Sequence, residues 1–162
     1  MEIKHLVFVY GTLRKNEQNH YLLKDATCIA EQAWTSGVMY ATGYYYPVLT
    51  NQQEGMVYGE LYEVNEKQLS RLDELEGYKG KGNNNLYNRV KQTIYTDKGE
   101  YEAYVYVMDR RDPEFFQERI ESADWKVYQL LNEPSFYTLP TEAVWITKGL
   151  RTQMSTITLK KW

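Results

Sequence analysis

The sequence is poor in the residues that build covalent or metal-bound frameworks. It contains one cysteine, Cys28, and two histidines, His5 and His20. A single cysteine excludes an internal disulfide framework and a cysteine-based zinc cluster, and it fits a reducing compartment. Two histidines argue against a multi-histidine metal site within one chain. We therefore expect neither kind of framework.

Long hydrophobic runs are missing as well. The longest apolar run covers residues 6–10, five residues in all. A bilayer-spanning helix needs roughly 20 apolar residues, and the apolar region of a signal peptide is also longer than this run. The sequence predicts a soluble, cytoplasmic protein without a membrane partner.

Positive charge is scarce over most of the chain. The net charge is −3, of which residues 134–162 carry +3 and residues 1–133 carry −6. An acidic body is a poor nucleic-acid binder, so we expect no nucleic-acid partner. The segment Asn132-Glu133-Pro134, which is expected to end a helix, lies where the net charge changes sign. We predict one domain over 1–133 and a C-terminal extension over 134–162.

The remaining composition is that of a packed globular domain rich in tyrosine. Apolar residues make up 43% and charged residues 25% of the chain, close to globular averages. There are 16 tyrosines against 4 tryptophans and 4 phenylalanines. Tyrosine buries a ring and keeps a polar tip, which suits strands and half-wet cavity walls.

Alternating and apolar segments with short links dominate the chain and predict strands. Short links favour an α+β domain with a mixed or antiparallel sheet curled into a β-barrel and flanked by short helices. The predicted strands cover residues 3–10, 28–34, 37–41, 55–64, 86–96 and 100–108.

The clearest helix signal begins at Asn65. Asn65 followed three residues later by Gln68 is typical of a capping box. The helix is expected to end near Glu76, because Gly77 follows and glycine commonly terminates helices. Further helices are predicted over 19–24, 113–120 and 124–131.

One carboxylate of the predicted helix lies on its apolar side. At about 100° per residue, Glu76 falls between Leu69 and Leu72, whereas Glu74 points away. A carboxylate buried without a partner costs several kcal/mol, or its pKa rises toward neutrality. A raised pKa suits a general acid/base. Alternatively, Glu76 curls out to solvent or pairs with a buried arginine such as Arg89.

A second candidate site follows the first strand, where the apolar run ends in Gly11-Thr12. Glycine lets the backbone come close to a ligand, and successive N–H groups can cradle a carboxylate or an oxyanion. The alternative is an ordinary junction between a strand and a loop.

Other common chemistries lack their motifs. The sequence has no Gly-x-Ser-x-Gly elbow, no Gly-x-Gly-x-x-Gly and no P-loop pattern. Cys28 lies in an apolar, strand-like context and is expected to be inert packing rather than a nucleophile. His5 and His20 are expected to be structural or to face solvent.

Six ordered segments together resemble the gamma-glutamylcyclotransferase-like family, closest to its gamma-glutamylamine cyclotransferase and butirosin-pathway branch. The resemblance spans roughly residues 5–128. Its segments are LVFVYGTLR at 6–14, NHYLL at 19–23, GMVYGELY at 55–62, LDELEGY at 72–78, LYNRV at 86–90 and DW at 124–125.

The resemblance implies a fold and a set of site residues. The family fold is a mixed β-barrel flanked by helices, and its members need no metal or cofactor. Glu76 matches the family's acid/base glutamate. The chain departs from the family at Asn16, where glycine is frequent, and in the loop at 79–85. The glutamyl head of the substrate is expected at Tyr10, Gly11, Thr12 and Leu13, with Tyr46 and Tyr87 as pocket walls.

The reaction implied is an intramolecular cyclisation. The α-amine of a small-molecule γ-glutamyl substrate attacks its own γ-carbonyl and releases 5-oxoproline and an amine, with Glu76 as general acid/base. A non-catalytic binding module on the same barrel and a hydrolase that uses Glu76 to activate water are the alternatives. We expect a monomer or a homodimer, and the sequence does not name the leaving amine.

Overall fold

The computed structural model describes residues 1–109 and 112–132. The chain divides into two compact units, Met1–Trp125 and Lys126–Trp162. The extension expected over 134–162 lies outside the described residues, so its boundary stays a prediction. The barrel and the candidate site belong to the first unit.

Eight strands and two α-helices are found within the described ranges, together with short 3₁₀ turns at His20–Leu23 and Pro113–Phe115. The helices are α1, Glu66–Glu76, and α2, Trp125–Asn132. The strands are β1 Lys4–Val9, β2 Thr27–Ser36, β3 Val38–Ala41, β4 Pro47–Thr50, β5 Met56–Asn65, β6 Asn88–Thr96, β7 Gly99–Val107 and β8 Glu118–Arg119.

Five strands close into a mixed barrel in the order β1-β5-β2-β6-β7, which confirms the predicted architecture. Neighbouring strands in this order run antiparallel. The barrel closes where β1 and β7 pair in parallel, with Val7 opposite Tyr104. Register shifts between Cys28 and Ala30, and between Ala30 and Ala33, let β2 bend around the barrel.

A second sheet of three strands, in the order β4-β3-β8, stands beside the barrel. The backbone N–H of Met108, just after β7, donates to the carbonyl of Leu49 on β4 at 2.9 Å. This bond joins the small sheet to the barrel and fixes the chain before β4, which borders the candidate site.

The predicted helix over 113–120 is wrong. The chain forms one 3₁₀ turn there and then the two-residue strand β8, where Arg119 pairs with Tyr40 of β3. Strand β4 was not predicted either. Strand β8 pairs with the distant β3, whereas β4 forms a local hairpin with β3, and both strands are too short to carry much periodic signal.

Helix α1 begins and ends as its sequence predicts. The Asn65 side chain accepts from the Gln68 backbone N–H at 2.8 Å, and the Gln68 side chain accepts from the Asn65 N–H at 2.8 Å. The predicted apolar side is also confirmed, because Leu69 and Leu72 are buried while Glu74 is exposed. Leu69 and Leu72 pack in one cluster with residues of β1 and β5.

None of the helices in the described part of the chain combines the length and the apolar character needed to cross a membrane.

Candidate active site

A cavity of about 160 Å³ opens where β1 ends, beside the C-terminus of α1. The loop after β1, the residues before β4 and the residues before β6 form its other walls. Every residue that the sequence analysis assigned to the site lines this one cavity: Glu76, Tyr10, Gly11, Thr12, Leu13, Tyr46 and Tyr87.

Glu76 is the last residue of α1, and it borders the cavity. Burial among the surrounding protein groups raises the pKa of its carboxyl from 4.5 to about 8. Among the described residues, no hydrogen bond or ion pair engages this carboxyl. The alternative in which Glu76 pairs with Arg89 is not formed, since Arg89 binds Asp73 instead.

Gly77 explains why the helix ends at this position. It lies in the left-handed region at φ +68°, and its N–H donates to the carbonyls of Asp73 and Glu74. The next segment is fastened to the helix end, because Leu86 N–H donates to Gly77 O at 3.0 Å and Tyr87 N–H donates to Glu76 O at 3.2 Å. The backbone of Glu76 is thus held from both sides.

The loop after β1 presents N–H groups that have no acceptor among the described residues. The carbonyls of Gly11 and Thr12 are used, because they accept from Arg14 N–H at 3.0 Å and Asn19 N–H at 2.9 Å. The N–H groups of Gly11, Thr12 and Leu13 are not used in this way. Three successive free donors beside a cavity can receive an anionic oxygen.

Gly11 is required because the ring of Pro47 lies close against its backbone. A Cβ placed on Gly11 would lie 2.8 Å from Cγ and 2.9 Å from Cδ of Pro47, which are atoms of a rigid ring. The sequence argument attributed Gly11 to the approach of a ligand. The structure shows contact with Pro47, which keeps the two walls of the cavity together.

The same loop contains a residue with unusual backbone geometry, Asn16. Its φ is +71°, in the left-handed region where asparagine is several-fold enriched among non-glycine residues. Asparagine at this position therefore adopts a conformation that glycine also adopts readily.

A buried ion pair that the sequence analysis missed anchors the loop from behind. Arg14 Nε donates to Glu60 Oε2 at 3.0 Å, and Arg14 Nη1 donates to Asp124 Oδ1 at 2.9 Å. Glu60 on β5 also accepts from Lys15 N–H at 2.9 Å and from the Tyr62 hydroxyl at 2.9 Å. These bonds fix the end of the loop to the barrel wall.

The tyrosines of the cavity are uncharged wall residues. The Tyr10 hydroxyl donates to Tyr106 O at 2.8 Å, and the Tyr87 hydroxyl donates to Pro47 O at 2.9 Å. Burial, followed by the nearby Glu76 carboxyl, raises the pKa of Tyr10. Burial is also the largest cause of the raised pKa values of Tyr87 and Tyr46.

Tyr106, a wall of the cavity, contacts an ion pair that lies outside the cavity lining, and none of these three side chains was assigned to the site from sequence. Tyr106 on β7 lines the cavity, and its hydroxyl donates to Asp73 Oδ1 at 2.6 Å. Arg89 Nη1 on β6 donates to Asp73 Oδ2 at 2.5 Å. The alternation of β7 indicates only that Tyr106 faces inward. Nothing in the sequence shows that Arg89 pairs with Asp73 and not with Glu76.

The remaining candidates lie elsewhere. Cys28 is exposed, so its prediction as packing is wrong; because β2 is distorted at this point, its apolar neighbours do not carry it inward. Desolvation and the carboxylates of Glu31 and Glu60 raise the pKa of its thiol, which disfavours the nucleophilic thiolate.

Both histidines have structural partners, as predicted. His5 Nε2 lies 2.9 Å from Glu66 Oε2, and His20 Nδ1 lies 2.9 Å from Leu13 O. Within residues 1–109 and 112–132, no group of three His, Cys, Asp or Glu side chains is placed to hold a metal ion.

Comparisons with known proteins agree with this geometry. A model of the family described as Gamma-glutamyl cyclotransferase, AIG2-like, matches residues 7–127. The chain is 40% identical over 125 residues to the gamma-L-glutamyl-butirosin B gamma-glutamyl cyclotransferase of Niallia circulans, covering 76% of this chain and 77% of that protein.

Solved structures show the same fold. YkqA from Bacillus subtilis superposes with a TM-score of 0.65 at 37% identity, covering 81% of this chain and 43% of that one. An AIG2-like protein from Mus musculus superposes with a TM-score of 0.59 at 25% identity, covering 69% of this chain and 82% of that one. The chain therefore spans less than half of YkqA.

The barrel, the cavity and these relatives define an enzyme of the gamma-glutamylcyclotransferase class. The chain belongs to the gamma-glutamyl cyclotransferase, AIG2-like family, which confirms the resemblance seen in its sequence.

Proposed function

We propose that this protein cyclises γ-glutamyl amides, with Glu76 as the proton carrier, and releases 5-oxoproline and a free amine. The observation that carries the proposal is the Glu76 carboxyl beside the cavity, engaged by no described group, with its pKa raised to about 8. The names of relatives support the reaction class, since they include a gamma-L-glutamyl-butirosin B gamma-glutamyl cyclotransferase and a gamma-glutamylaminecyclotransferase.

The proton transfers match the acidity of Glu76. The substrate's α-ammonium must lose a proton before its nitrogen can attack the γ-carbonyl. The α-ammonium of a chain terminus has a pKa of about 8, and the free α-carboxylate of the substrate raises that pKa further, so a Glu76 carboxylate of raised pKa accepts the proton more readily than an ordinary carboxylate would. A new C–N bond then closes the ring, and Glu76 returns the first proton to the leaving nitrogen as the C–N bond to the leaving amine breaks. Glu76 then takes the second proton from the ring nitrogen and passes it to the released amine, which departs as an ammonium ion.

The loop after β1 supplies the binding and orientation. Free N–H groups at Gly11, Thr12 and Leu13 would receive the α-carboxylate of the substrate or the oxyanion that develops on the γ-carbonyl. Because nucleophile and electrophile are parts of one molecule, holding the substrate in a bent conformation accounts for much of the rate. Uncharged Tyr10 and Tyr87 would enclose the reacting atoms and exclude water.

Product analysis tests the proposal. The protein is incubated with γ-glutamyl amides of an amino acid, of a lysine side chain and of an aminoglycoside amine, and the products are separated. Release of 5-oxoproline supports cyclisation. Release of free glutamate indicates that Glu76 activates water, and binding without turnover indicates a non-catalytic module; either result contradicts the proposal. A cytoplasmic location and a monomeric or homodimeric state stay predictions.

A further inference from the structure

Asp73 lies one helical turn before Glu76, and both of its carboxylate oxygens are occupied. Oδ1 accepts from the Tyr106 hydroxyl at 2.6 Å, and Oδ2 accepts from Arg89 Nη1 at 2.5 Å. Residues three apart on a helix are surface neighbours. Two strong donors are therefore held close to the end of α1, but on Asp73 and not on Glu76.

Neighbouring aromatic rings hold the Arg89 guanidinium beside Asp73. Its guanidinium carbon lies 4.4 Å from the ring centre of Tyr104 and 4.9 Å from that of Tyr78. Its Nε is buried and has no acceptor among the described residues. The Arg89 guanidinium thus has one N–H without an acceptor, and it binds Asp73, one of the carboxylates in the last turns of α1.

We propose that Asp73 is a positioning residue that keeps the Arg89 guanidinium and the Tyr106 hydroxyl away from Glu76, so that the Glu76 carboxyl faces the cavity unpaired. The inference rests on the proposed function, in which an unpaired Glu76 carries the proton. In this proposal Asp73 competes with Glu76 for the Arg89 guanidinium and does not contact the substrate.

The charges around Glu76 support this assignment. The titratable groups that interact with Glu76 from neighbouring segments are phenols, which burial keeps neutral: Tyr10 after β1, Tyr46 before β4, Tyr87 before β6 and Tyr106 on β7. Glu74 on the same helix is exposed. The Asp73–Arg89 ion pair brings two opposite charges to the last turn of α1, where they compensate each other, and burial alone raises the pKa of Glu76.

Removing one member of the Asp73–Arg89 pair leaves the charge of the other uncompensated. The two removals should therefore shift the pKa of Glu76 in opposite directions. Asp73→Asn leaves the Arg89 cation free to stabilise the Glu76 carboxylate, so the pKa of Glu76 falls. Arg89→Met leaves the Asp73 anion beside Glu76, so that pKa rises. We expect shifts of about one pH unit in each direction, and a return close to the original value in the double variant.

Two measurements on the full chain report the shift. The first is the acidic limb of the pH profile of kcat/KM for 5-oxoproline release. The second is a carbon-13 NMR titration of the Glu76 carboxyl, assigned by the loss of its signal in Glu76→Gln. The NMR titration needs no turnover, so it tests Asp73 even if the protein cyclises no γ-glutamyl amide and the proposed function fails.

Glu74→Gln is the matched control, because it removes a carboxylate from the outer side of the same helix, and it should leave the profile unchanged. Opposite shifts that cancel in the double variant support the proposal. Shifts in the same direction, absent shifts or a double variant that does not return would overturn it. If Asp73→Asn does not fold, Arg89→Met is the test: a rise in the pKa of Glu76 supports the proposal, and no rise overturns it.

Discussion

At the scale of single residues, the proposed chemistry depends on one carboxyl, that of Glu76, which is partly buried and has no partner among the described residues. Glu76→Gln keeps the size and shape of the side chain but cannot carry a proton. We expect turnover to fall by about 10²–10⁴-fold in a folded protein. The measurement is the rate of 5-oxoproline release. Exposed Glu74 provides the control, since Glu74→Gln should retain the original rate; near-full activity of Glu76→Gln would remove Glu76 from the mechanism.

The same residue links stability to pH. Because folding raises the pKa of Glu76 from 4.5 to about 8, the folded state binds the proton more tightly than the unfolded state does. The stabilisation from this carboxyl is complete below about pH 4.5 and is lost as the pH rises to about 8.

Glutamine is neutral throughout that range, so Glu76→Gln should lack this dependence. Relative to the original protein, the variant should gain up to a few kcal/mol of unfolding free energy between pH 5 and pH 8.5, since one pKa unit corresponds to about 1.4 kcal/mol. Urea unfolding at the two pH values measures this difference. An unchanged difference between the proteins would show that the Glu76 pKa is not raised.

At the scale of elements, the cavity depends on how closely two segments approach. A methyl group on Gly11 would lie 2.8 Å from Cγ of Pro47, so Gly11→Ala should push the loop after β1 away from β4. Displaced N–H donors should raise KM by about tenfold or more, because small misplacements are costly in catalysis. The larger Gly11→Val should raise KM further.

Steady-state kinetics of Gly11→Ala, Pro47→Ala and their double variant separate this cause from general damage. Removing the Pro47 ring makes room for the new methyl group, so the double variant should recover part of the lost KM. A folded Gly11→Ala protein with an unchanged KM would show that the loop does not bind the substrate.

The capping box affects stability without touching the chemistry. Asn65→Ala removes the side-chain acceptor for Gln68 N–H and should lower the unfolding free energy by about 1 kcal/mol. The end of α1 that carries Glu76 is held separately, through Gly77, Leu86 and Tyr87. Denaturant unfolding should therefore shift while kcat at low temperature stays the same, and a large loss of kcat would mean that the two helix ends are coupled.

At the scale of the whole molecule, the site residues and the family match both end before the C-terminal segment. The match covers residues 7–127, and every residue assigned a role lies within it. Truncation after Glu133 should leave 5-oxoproline release intact. Circular dichroism verifies that the truncated protein is folded; a folded protein without turnover would place the segment after 133 in the active site.

Much of the local structure could be predicted, because its causes lie within a few residues of one another. Asn65 and Gln68 define the start of α1, Gly77 defines its end, and the spacing of Leu69 and Leu72 shows that Glu76 faces inward. The alternation of the long strands predicts a sheet, and their short links favour a barrel. The resemblance to a family added the assignment of Tyr10 to Leu13 as the substrate loop.

Tertiary structure decided which distant groups meet. Asp73 binds Arg89 across 16 positions and Tyr106 across 33, and Tyr10 reaches Tyr106 across 96. Nothing local distinguishes Asp73 from Glu76 as the partner of Arg89, since both face the same side of α1. Strand β8 likewise follows from its pairing with the distant β3, and the exposed position of Cys28 follows from the distortion of β2. The sequence alone thus determined which side chain points inward, whereas the barrel determined that this side chain stays unpaired, because the available cation is held by its neighbour.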